Sequence, residues 1–250
     1  MKKIGILSAF IISFSCQAYD NYLYIADDVI TSIPVKCINE EMIDLNKQTE
    51  IAYGKPPLYP NNKEYTKIRK TVYEKLKQAQ SKLPPGLKLC VYEGYRKLGV
   101  QEYLFRTHFQ QIQEKQPLAP YEITFTQATR LIAPARKLDG SENIAPQLTG
   151  GAIAVYLVDD QGKPVDMGIQ PQDWLKDMDG SLSRTHSYKI SKAAEHHREI
   201  MSDALRAVGF VNYPAQYWHW SYGDQYWAHV THQDHAIYGT WQQSGALASN

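Results

Sequence analysis

One histidine lies in the most aromatic stretch of the chain. Residues 214–227 contain three of the five tryptophans, with His219 among them. The composition is typical of a strand, in which alternate side chains point to opposite faces. Gln216, Trp218 and Trp220 are then expected on one face, and His219 on the other. An isolated histidine in an apolar wall is usually a satisfied core residue, but the motifs around this one suggest a functional site.

The other histidines offer weaker patterns for metal binding. His229, His232 and His235 recur at intervals of three, but the segment does not have a helical pattern, and on a helix the first and third would diverge. We interpret this segment as a solvated polar turn. His197 lies on the inner stripe of a predicted helix, so we expect a core histidine there. His186 lies in a loop and predicts nothing.

Length and charge limit the classes of function. A chain of 250 residues suits one domain with a sizeable core. The formal net charge is +1, whereas a nucleic-acid-binding surface needs a basic excess gathered on one face. Beyond the amino terminus, no stretch is apolar enough to span a membrane. We therefore expect no nucleic-acid partner and no transmembrane segment in the mature chain.

The amino terminus indicates export. Lys2 and Lys3 precede an apolar run over residues 4–14 and a small-residue cleavage site after Ala18, which is the pattern of a signal peptide. We predict a periplasmic or secreted protein. A lipoprotein acylated at Cys16 is the alternative.

The mature chain is predicted to be one domain with one disulfide. Residues 1–18 are assigned to the signal peptide, residues 19–241 to a single domain and residues 242–250 to a flexible tail. Two cysteines remain in the mature chain, Cys37 and Cys90. Because an exported chain matures in an oxidising compartment, we expect these two to form a disulfide, with two free buried thiols as the alternative.

Helical and strand patterns are intermixed along the chain. Apolar residues recur with helical spacing over residues 64–81, 99–115, 121–132 and 191–208. Strand patterns cover residues 87–92 and 150–158, a returning hairpin arm over 163–167, and the tryptophan-rich run. A long polar loop is expected over residues 170–188. This mixture predicts an α+β fold in which a small antiparallel sheet is flanked by helices.

Three motifs carry a resemblance to a known family. They are Glu93-Gly94-Tyr95-Arg96 after a strand, Thr149-Gly150-Gly151-Ala152-Ile153 entering a strand, and Tyr217-Trp218-His219. Their order and spacing resemble those of the VanX-type D-alanyl-D-alanine dipeptidases, zinc peptidases of the LAS type that cleave D-Ala-D-Ala. The resemblance covers about the whole mature chain. It implies a LAS-metallopeptidase-like fold and a cell-wall peptide as the substrate class.

The resemblance also assigns roles to single residues, and here the sequence departs from the family. The family's zinc is held by a His, an Asp and a second His, and a Glu is the general base. The first His position is Gln147, the Asp position is Ala154, and the general-base position is Gln216. His219 is the one matching ligand. Arg96 matches the arginine that steadies the developing charge.

These replacements oppose the family's chemistry. Zinc needs several nitrogen, sulfur or carboxylate ligands, and neither an amide nor a methyl group supplies one. Gln216 cannot take up a proton near neutral pH, and loss of a general base alone costs about 10²–10⁴-fold in rate. We therefore expect no zinc or weakly bound zinc. A pocket rebuilt without its ion and the decay of an unused site both fit these residues.

Three functions follow from the sequence. The first is a catalytically impaired or silent relative that binds a D-amino-acid dipeptide or peptidoglycan fragment, with Arg96 as carboxylate anchor and Trp218 and Trp220 shaping the pocket. The second is an active zinc dipeptidase with a different ligand set. The third is a structural interaction module that retains only the fold. Zinc content separates the second from the others, and ligand binding separates the first from the third.

Overall fold

The computed structural model describes residues 23–57, 62–177 and 179–241. The predicted signal peptide, Cys16 and the predicted tail over residues 242–250 lie outside these described residues. Within them, none of the helices combines the length and the apolar character needed to cross a bilayer.

Helices and strands alternate along the described chain. The helices are α1 (Asp28–Thr31), α2 (Lys70–Gln80), α3 (Leu98–Lys115), α4 (Tyr121–Thr129), α5 (Lys192–Arg206) and α6 (Gln225–Val230). The strands are β1 (Met42–Asp44), β2 (Ala52–Tyr53), β3 (Lys67–Arg69), β4 (Leu87–Glu93), β5 (Ile153–Asp159), β6 (Val211–Asn212) and β7 (His219–Ser221). Short 3₁₀ helices lie at Leu45–Lys47, Pro146–Thr149 and Pro171–Lys176.

A five-stranded sheet with the order β2-β4-β5-β7-β6 organises the molecule. All its pairs are antiparallel except β2 with β4, and β1 and β3 form a separate antiparallel pair. The predicted α+β fold with a small sheet and flanking helices is therefore confirmed. The parallel pair departs from the expected purely antiparallel arrangement, because β2 joins the sheet at its edge from a distant part of the chain.

The two faces of the central strands have different coverings. Alternate residues of β4 and β5 pack into the main core with the inner stripes of α2 and α5. This core contains Leu89, Val91, Val155, Leu157, Val72, Leu76, Met201 and Leu205. The intervening residues of β4 and β5 point to the opposite face, since side chains alternate along a strand. That opposite face carries the cavities described below.

Two predicted helices differ in detail from the structure. Over residues 64–81 the helix begins only at Lys70, because residues 67–69 pair as β3 with β1. In α5, Ser191 caps the helix, since its Oγ accepts a hydrogen bond from the backbone N–H of Ala194. The prediction that His197 is a core residue is wrong, because His197 is half-buried and the neighbouring Arg198 is the buried residue. The guanidinium of Arg198 donates to three backbone carbonyls and stacks on Tyr217.

The predicted disulfide is not formed, since Cys37 and Cys90 are both free. Cys90 is buried in β4, where its thiol meets the Tyr156 hydroxyl. Cys37 follows the bridge between Val35 and Ala236, outside the sheet. A disulfide requires Cβ atoms about 4 Å apart, and these side chains have separate neighbourhoods. The disulfide prediction is therefore wrong, and the alternative of two free thiols holds with Cys37 only half-buried.

Candidate functional site

His219 lies at the point where a turn becomes a strand. β7 begins at His219, and its backbone N–H donates to the Gln216 carbonyl at 3.1 Å to close the preceding turn. Strand alternation therefore does not apply before this residue, and Trp218 and His219 line the same cavity. Trp220 is buried in the main core, where its indole N–H donates to the Tyr217 carbonyl at 2.9 Å. Trp220 does not line this cavity.

The residues that the resemblance assigns to the ligand, general-base and arginine positions converge on this cavity, which we call the cleft. Its volume is about 40 Å³, and Arg96, Gln147, Ala154, Gln216 and His219 all line it. Ala154 and His219 are direct neighbours on adjacent strands β5 and β7. The backbone N–H of Arg96 donates to the Gln147 carbonyl at 3.1 Å, which joins the loop after β4 to the turn before β5.

A β-bulge directs two consecutive residues of β4 into the cleft. The pairing of β4 with β5 shifts between Val91 and Glu93 and leaves Tyr92 without an opposite residue. Such a bulge interrupts the alternation of side chains. Tyr92 and Glu93 therefore both line the cleft. The sequence prediction missed Glu93, although it belongs to the motif that contains Arg96, because a bulge leaves no mark in the hydrophobic pattern.

His219 is a neutral histidine with both ring nitrogens engaged. Gln147 Nε2 lies 3.0 Å from Nδ1 of His219. Because an amide nitrogen only donates, Nδ1 is the acceptor and Nε2 carries the proton, which faces Ser221 Oγ at 3.3 Å. Burial, with a smaller effect from the charge of Arg96, lowers the pKa of His219 to about 3. The ring therefore stays uncharged at neutral pH.

Arg96 forms a buried ion pair with Glu93. Its Nε donates to one carboxylate oxygen at 3.0 Å, and a terminal nitrogen donates to the other. A further nitrogen donates to Gln101 Oε1 at 2.8 Å, while Asn62 Nδ2 donates to Glu93. Arg96 is 7% exposed and Glu93 1% exposed, so solvent hardly screens the pair. The positive charge of Arg96 is thus compensated within the cleft.

Gln216 binds the cleft wall rather than a reactant. Its Nε2 donates to the Leu131 carbonyl at 3.0 Å, and residues 131–133 line the cleft beside it. A glutamate carboxylate at this position has no hydrogen to donate and would face the carbonyl oxygen. The amide therefore suits this wall better than the family's carboxylate does.

Trp174 is a cleft residue that the sequence prediction missed. It lies on the 3₁₀ helix Pro171–Lys176, within the region predicted as a polar loop. Its ring packs edge to face against His108 of α3, with the ring centres 5.8 Å apart. Burial lowers the pKa of His108 to about 4. Pro171, at the first position of the turn, was the available signal, because proline favours the start of a helix.

The donor set of the cleft does not fit a zinc ion. It offers one imidazole whose Nδ1 already accepts a hydrogen bond, an amide at Gln147, and the methyl group of Ala154. Zinc sites in proteins take three or four nitrogen, sulfur or carboxylate ligands. Across residues 23–57, 62–177 and 179–241, no three His, Cys, Asp or Glu side chains are grouped so as to hold a metal. The remaining candidates lie outside the cleft: His186, His229, His232 and His235.

The fold is thus a small α+β sheet with flanking helices, and the residues of the sequence motifs meet in a cleft at the end of its central strands. A family model described as D-Ala-D-Ala dipeptidase matches residues 53–238, well over half of the chain. The chain therefore belongs to the D-Ala-D-Ala dipeptidase family. Members of this family are generally zinc-dependent and act on cell-wall peptides.

One relative and one solved structure extend this comparison. A D-alanyl-D-alanine dipeptidase of Synechocystis sp. is 26% identical over 194 residues, which cover 69% of this chain and 78% of the relative. A solved structure of the LdcB LD-carboxypeptidase aligns with 80% of this chain and 78% of its own, at 16% identity and a TM-score of 0.32.

Proposed function

We propose that this chain is a family member without zinc-dependent hydrolysis, and that its cleft binds the end of a D-amino-acid or cell-wall peptide. The observation that carries the proposal is that the replacing residues have hydrogen bonds of their own. Gln147 donates to His219, and Gln216 donates to the Leu131 carbonyl. A decayed site would leave buried polar groups unpaired, at a cost of about 1–3 kcal/mol each. The pairing supports a pocket rebuilt to be stable without an ion.

No other group in the cleft takes over the missing chemistry. A histidine with a pKa of about 3 does not accept a proton at neutral pH, so His219 is no substitute for the general base. Arg96 remains as a cation, but Glu93 already holds it on two sides. Among the described lining residues, these side chains supply neither a base to activate a water nor an uncompensated cation, which supports binding rather than turnover.

The size of the cleft limits what it binds. A volume of about 40 Å³ is far below the roughly 300–1,000 Å³ of pockets that enclose small-molecule ligands. It is closer to the space of a terminal group, since a cavity that holds one water needs about 10–15 Å³ on the same measure. The walls include the apolar side chains of Leu104, Ile132, Trp174 and Trp218. We therefore propose that the cleft receives the methyl-bearing end of a D-alanyl peptide.

The proposed setting is the periplasm or the cell exterior. Support comes from the basic residues, apolar run and small-residue site at the amino terminus. Mass spectrometry of the protein recovered from its native host would test this. A chain beginning at Tyr19 is expected, whereas an intact amino terminus in the cytoplasm would contradict export.

Zinc content and hydrolysis, measured on the same sample, test the loss of catalysis. The wild-type chain is expected to carry far less than one zinc per molecule and to leave D-Ala-D-Ala intact. The triple variant Gln147→His, Ala154→Asp, Gln216→Glu restores the family's ligands and base, and is expected to bind zinc. Near-equimolar zinc with turnover in the wild type would instead establish an active hydrolase with a different ligand set.

Titration with peptides tests the binding role. Trp174 and Trp218 line the cleft, so their fluorescence is expected to respond to D-Ala-D-Ala and not to L-Ala-L-Ala. Gln216→Leu removes the amide that bonds the cleft wall without adding a charge. Its response is compared with that of the wild type. A wild-type chain that responds to neither dipeptide nor any longer peptide ending in D-Ala-D-Ala would favour the structural interaction module.

A further inference from the structure

A second and larger cavity lies on the same face of the sheet as the cleft. Its volume is about 560 Å³, which is within the range of pockets that enclose ligands. We call it the tyrosine groove. Its floor is formed by buried side chains of the two central strands: Cys90, Tyr92, Tyr156 and Val158. Its walls are exposed segments on either side: Tyr53, Lys55, Pro56, Gly162 and Pro164.

The tyrosine groove continues from the cleft. Ala154, Tyr156 and Val158 are successive positions on one face of β5, spaced by about 7 Å each. Ala154 lines the cleft, whereas Tyr156 and Val158 line the groove. Tyr92, the bulged residue of β4, lines both. An extended chain with its end in the cleft therefore passes Tyr92 and reaches the groove within about three or four residues.

The chemistry of the groove favours an apolar side chain over a sugar. Its surface is made of tyrosine rings, prolines and a valine, and its non-aromatic polar side chains are those of Lys55 and Gln172. The hydroxyl of Tyr156 is already paired with the Cys90 thiol. Each sugar hydroxyl that leaves water needs a hydrogen-bond partner, and the groove offers few. A bulky apolar side chain needs none and gains from the aromatic walls.

We infer that the tyrosine groove binds a bulky apolar side chain of an extended peptide whose carboxyl-terminal end occupies the cleft. The inference rests on the proposed function, because the cleft must receive the peptide's end. It assigns the chain a ligand of at least three or four residues in place of the free dipeptide that the family cleaves. The aromatic walls supply the contact area that the small cleft lacks.

Calorimetric titration with matched peptides tests this inference. The probes are D-Ala-D-Ala, acetyl-Gly-Gly-D-Ala-D-Ala, acetyl-Phe-Gly-D-Ala-D-Ala, and the last peptide with an L-Ala-L-Ala end. Burying a phenylalanine side chain predicts at least about tenfold tighter binding of the Phe peptide than of the Gly peptide. Tyr53→Ala removes an exposed wall and is expected to abolish this preference. Tyr103→Ala, at a similarly exposed tyrosine of α3, is expected to preserve it.

A thiol on the groove floor gives a second readout. Cys90 lines the groove. The Cys16→Ser, Cys37→Ser variant leaves it as the single thiol of the chain and therefore as the single reporter. The Phe peptide is expected to slow alkylation of Cys90, and the Gly peptide to leave the rate unchanged.

The outcomes separate the two proposals. Equal binding of the Phe and Gly peptides, or a preference that survives Tyr53→Ala, would overturn the groove assignment and leave the cleft proposal standing. Equal binding of the D-Ala and L-Ala ends, with the Tyr53 dependence retained, would support the groove and overturn the cleft proposal. Absence of binding by every peptide would overturn both.

Discussion

At the scale of single residues, the contacts of Gln147 and His219 support the proposed metal-free cleft. Gln147, at the position that the resemblance assigns to the first ligand, donates a neutral hydrogen bond to Nδ1 of His219. His219 keeps its outer N–H directed at Ser221. Metal-binding histidines usually have such an outer partner. His219 therefore has the outer partner that is typical of a metal-binding histidine, while its Nδ1 accepts from the Gln147 amide.

Removal of the Gln147 amide should show how much its hydrogen bond to His219 contributes to the stability of the fold. Gln147→Met keeps the size of the side chain and leaves His219 Nδ1 buried without a partner, which is expected to cost about 1–3 kcal/mol of unfolding free energy. Urea denaturation measures the loss. Gln113→Met, at an exposed position of α3, is the control and should change stability little. An unchanged midpoint for Gln147→Met would mean that the hydrogen bond contributes nothing.

The Arg96–Glu93 pair should behave as a unit. Arg96→Gln leaves the Glu93 carboxylate buried without its partner, and a loss of about 3–5 kcal/mol is expected. In the double variant with Glu93→Gln no charge is left uncompensated, so stability should recover in part. A double-mutant cycle by urea denaturation measures the coupling. Additive losses would contradict a coupled ion pair.

At the scale of single elements, helix α3 lines the cleft and also carries a histidine that makes the stability depend on pH. His108 on this helix is buried behind Trp174, and burial lowers its pKa to about 4 from an ordinary 6.5. Below pH 6.5 the unfolded chain takes up this proton and the folded chain does not. Folded stability is therefore lost as the pH falls from 6.5 towards 4. His219 acts in the same direction, whereas Asp224, whose pKa burial raises to about 6, acts in the opposite direction below that pH.

Replacement of His108 should weaken the dependence of stability on acid. One proton contributes about 1.4 kcal/mol per pH unit, so His108→Gln is expected to remove roughly 2–3 kcal/mol of the destabilisation between pH 6.5 and 4.5. Urea denaturation at the two pH values gives the difference. His196→Gln changes an exposed histidine of α5 and should leave the acid sensitivity as it was. An equal loss of stability between pH 6.5 and 4.5 in the two variants would contradict the assignment of this acid sensitivity to His108.

At the scale of the whole molecule, close backbone contacts hold the two sheets and the cleft together. Gly94 N–H donates to the Tyr65 carbonyl at 2.6 Å, and the next residue donates to the Lys67 carbonyl. A Cβ on Gly94 would lie 2.5 Å from the Lys67 carbonyl oxygen and from the Ile68 side chain. Because Arg96 follows two residues later, this contact fixes where its guanidinium enters the cleft.

A pair of glycine substitutions tests this packing. Gly94→Ala is expected to cost about 1–3 kcal/mol by overpacking and to lower the melting temperature, because backbone atoms cannot yield as a flexible side chain can. Gly99→Ala, in the first turn of α3 with no atom within 4 Å, should raise stability by about 0.5–1 kcal/mol through helix propensity. Thermal denaturation measures both. Similar shifts in the two variants would contradict a close approach specific to Gly94.

The sequence and the tertiary structure determined different features of this protein. The periodicity of apolar residues was sufficient to predict the α+β class and the helices α3 and α5. A regular helix or strand with one buried face has apolar residues at a fixed spacing. The resemblance carried by the motifs implied that Gln147, Ala154, Gln216 and His219 belong to one site, and the structure places all four around the cleft. Strand alternation alone had separated Gln216 from His219. Apolar periodicity and short motifs are local properties of the chain, so they can be identified before the tertiary contacts are known.

Only the tertiary structure decided what depends on distant partners. The bulge at Tyr92, the hydrogen bond from Asn62 to Glu93 and the contact of Trp174 with the cleft each join segments that no local pattern relates. The separation of Cys37 from Cys90 is of the same kind. Burial and pairing energies arise only when such segments meet. Composition alone therefore could neither assign the neutral state of His219 nor reveal the groove beside the cleft.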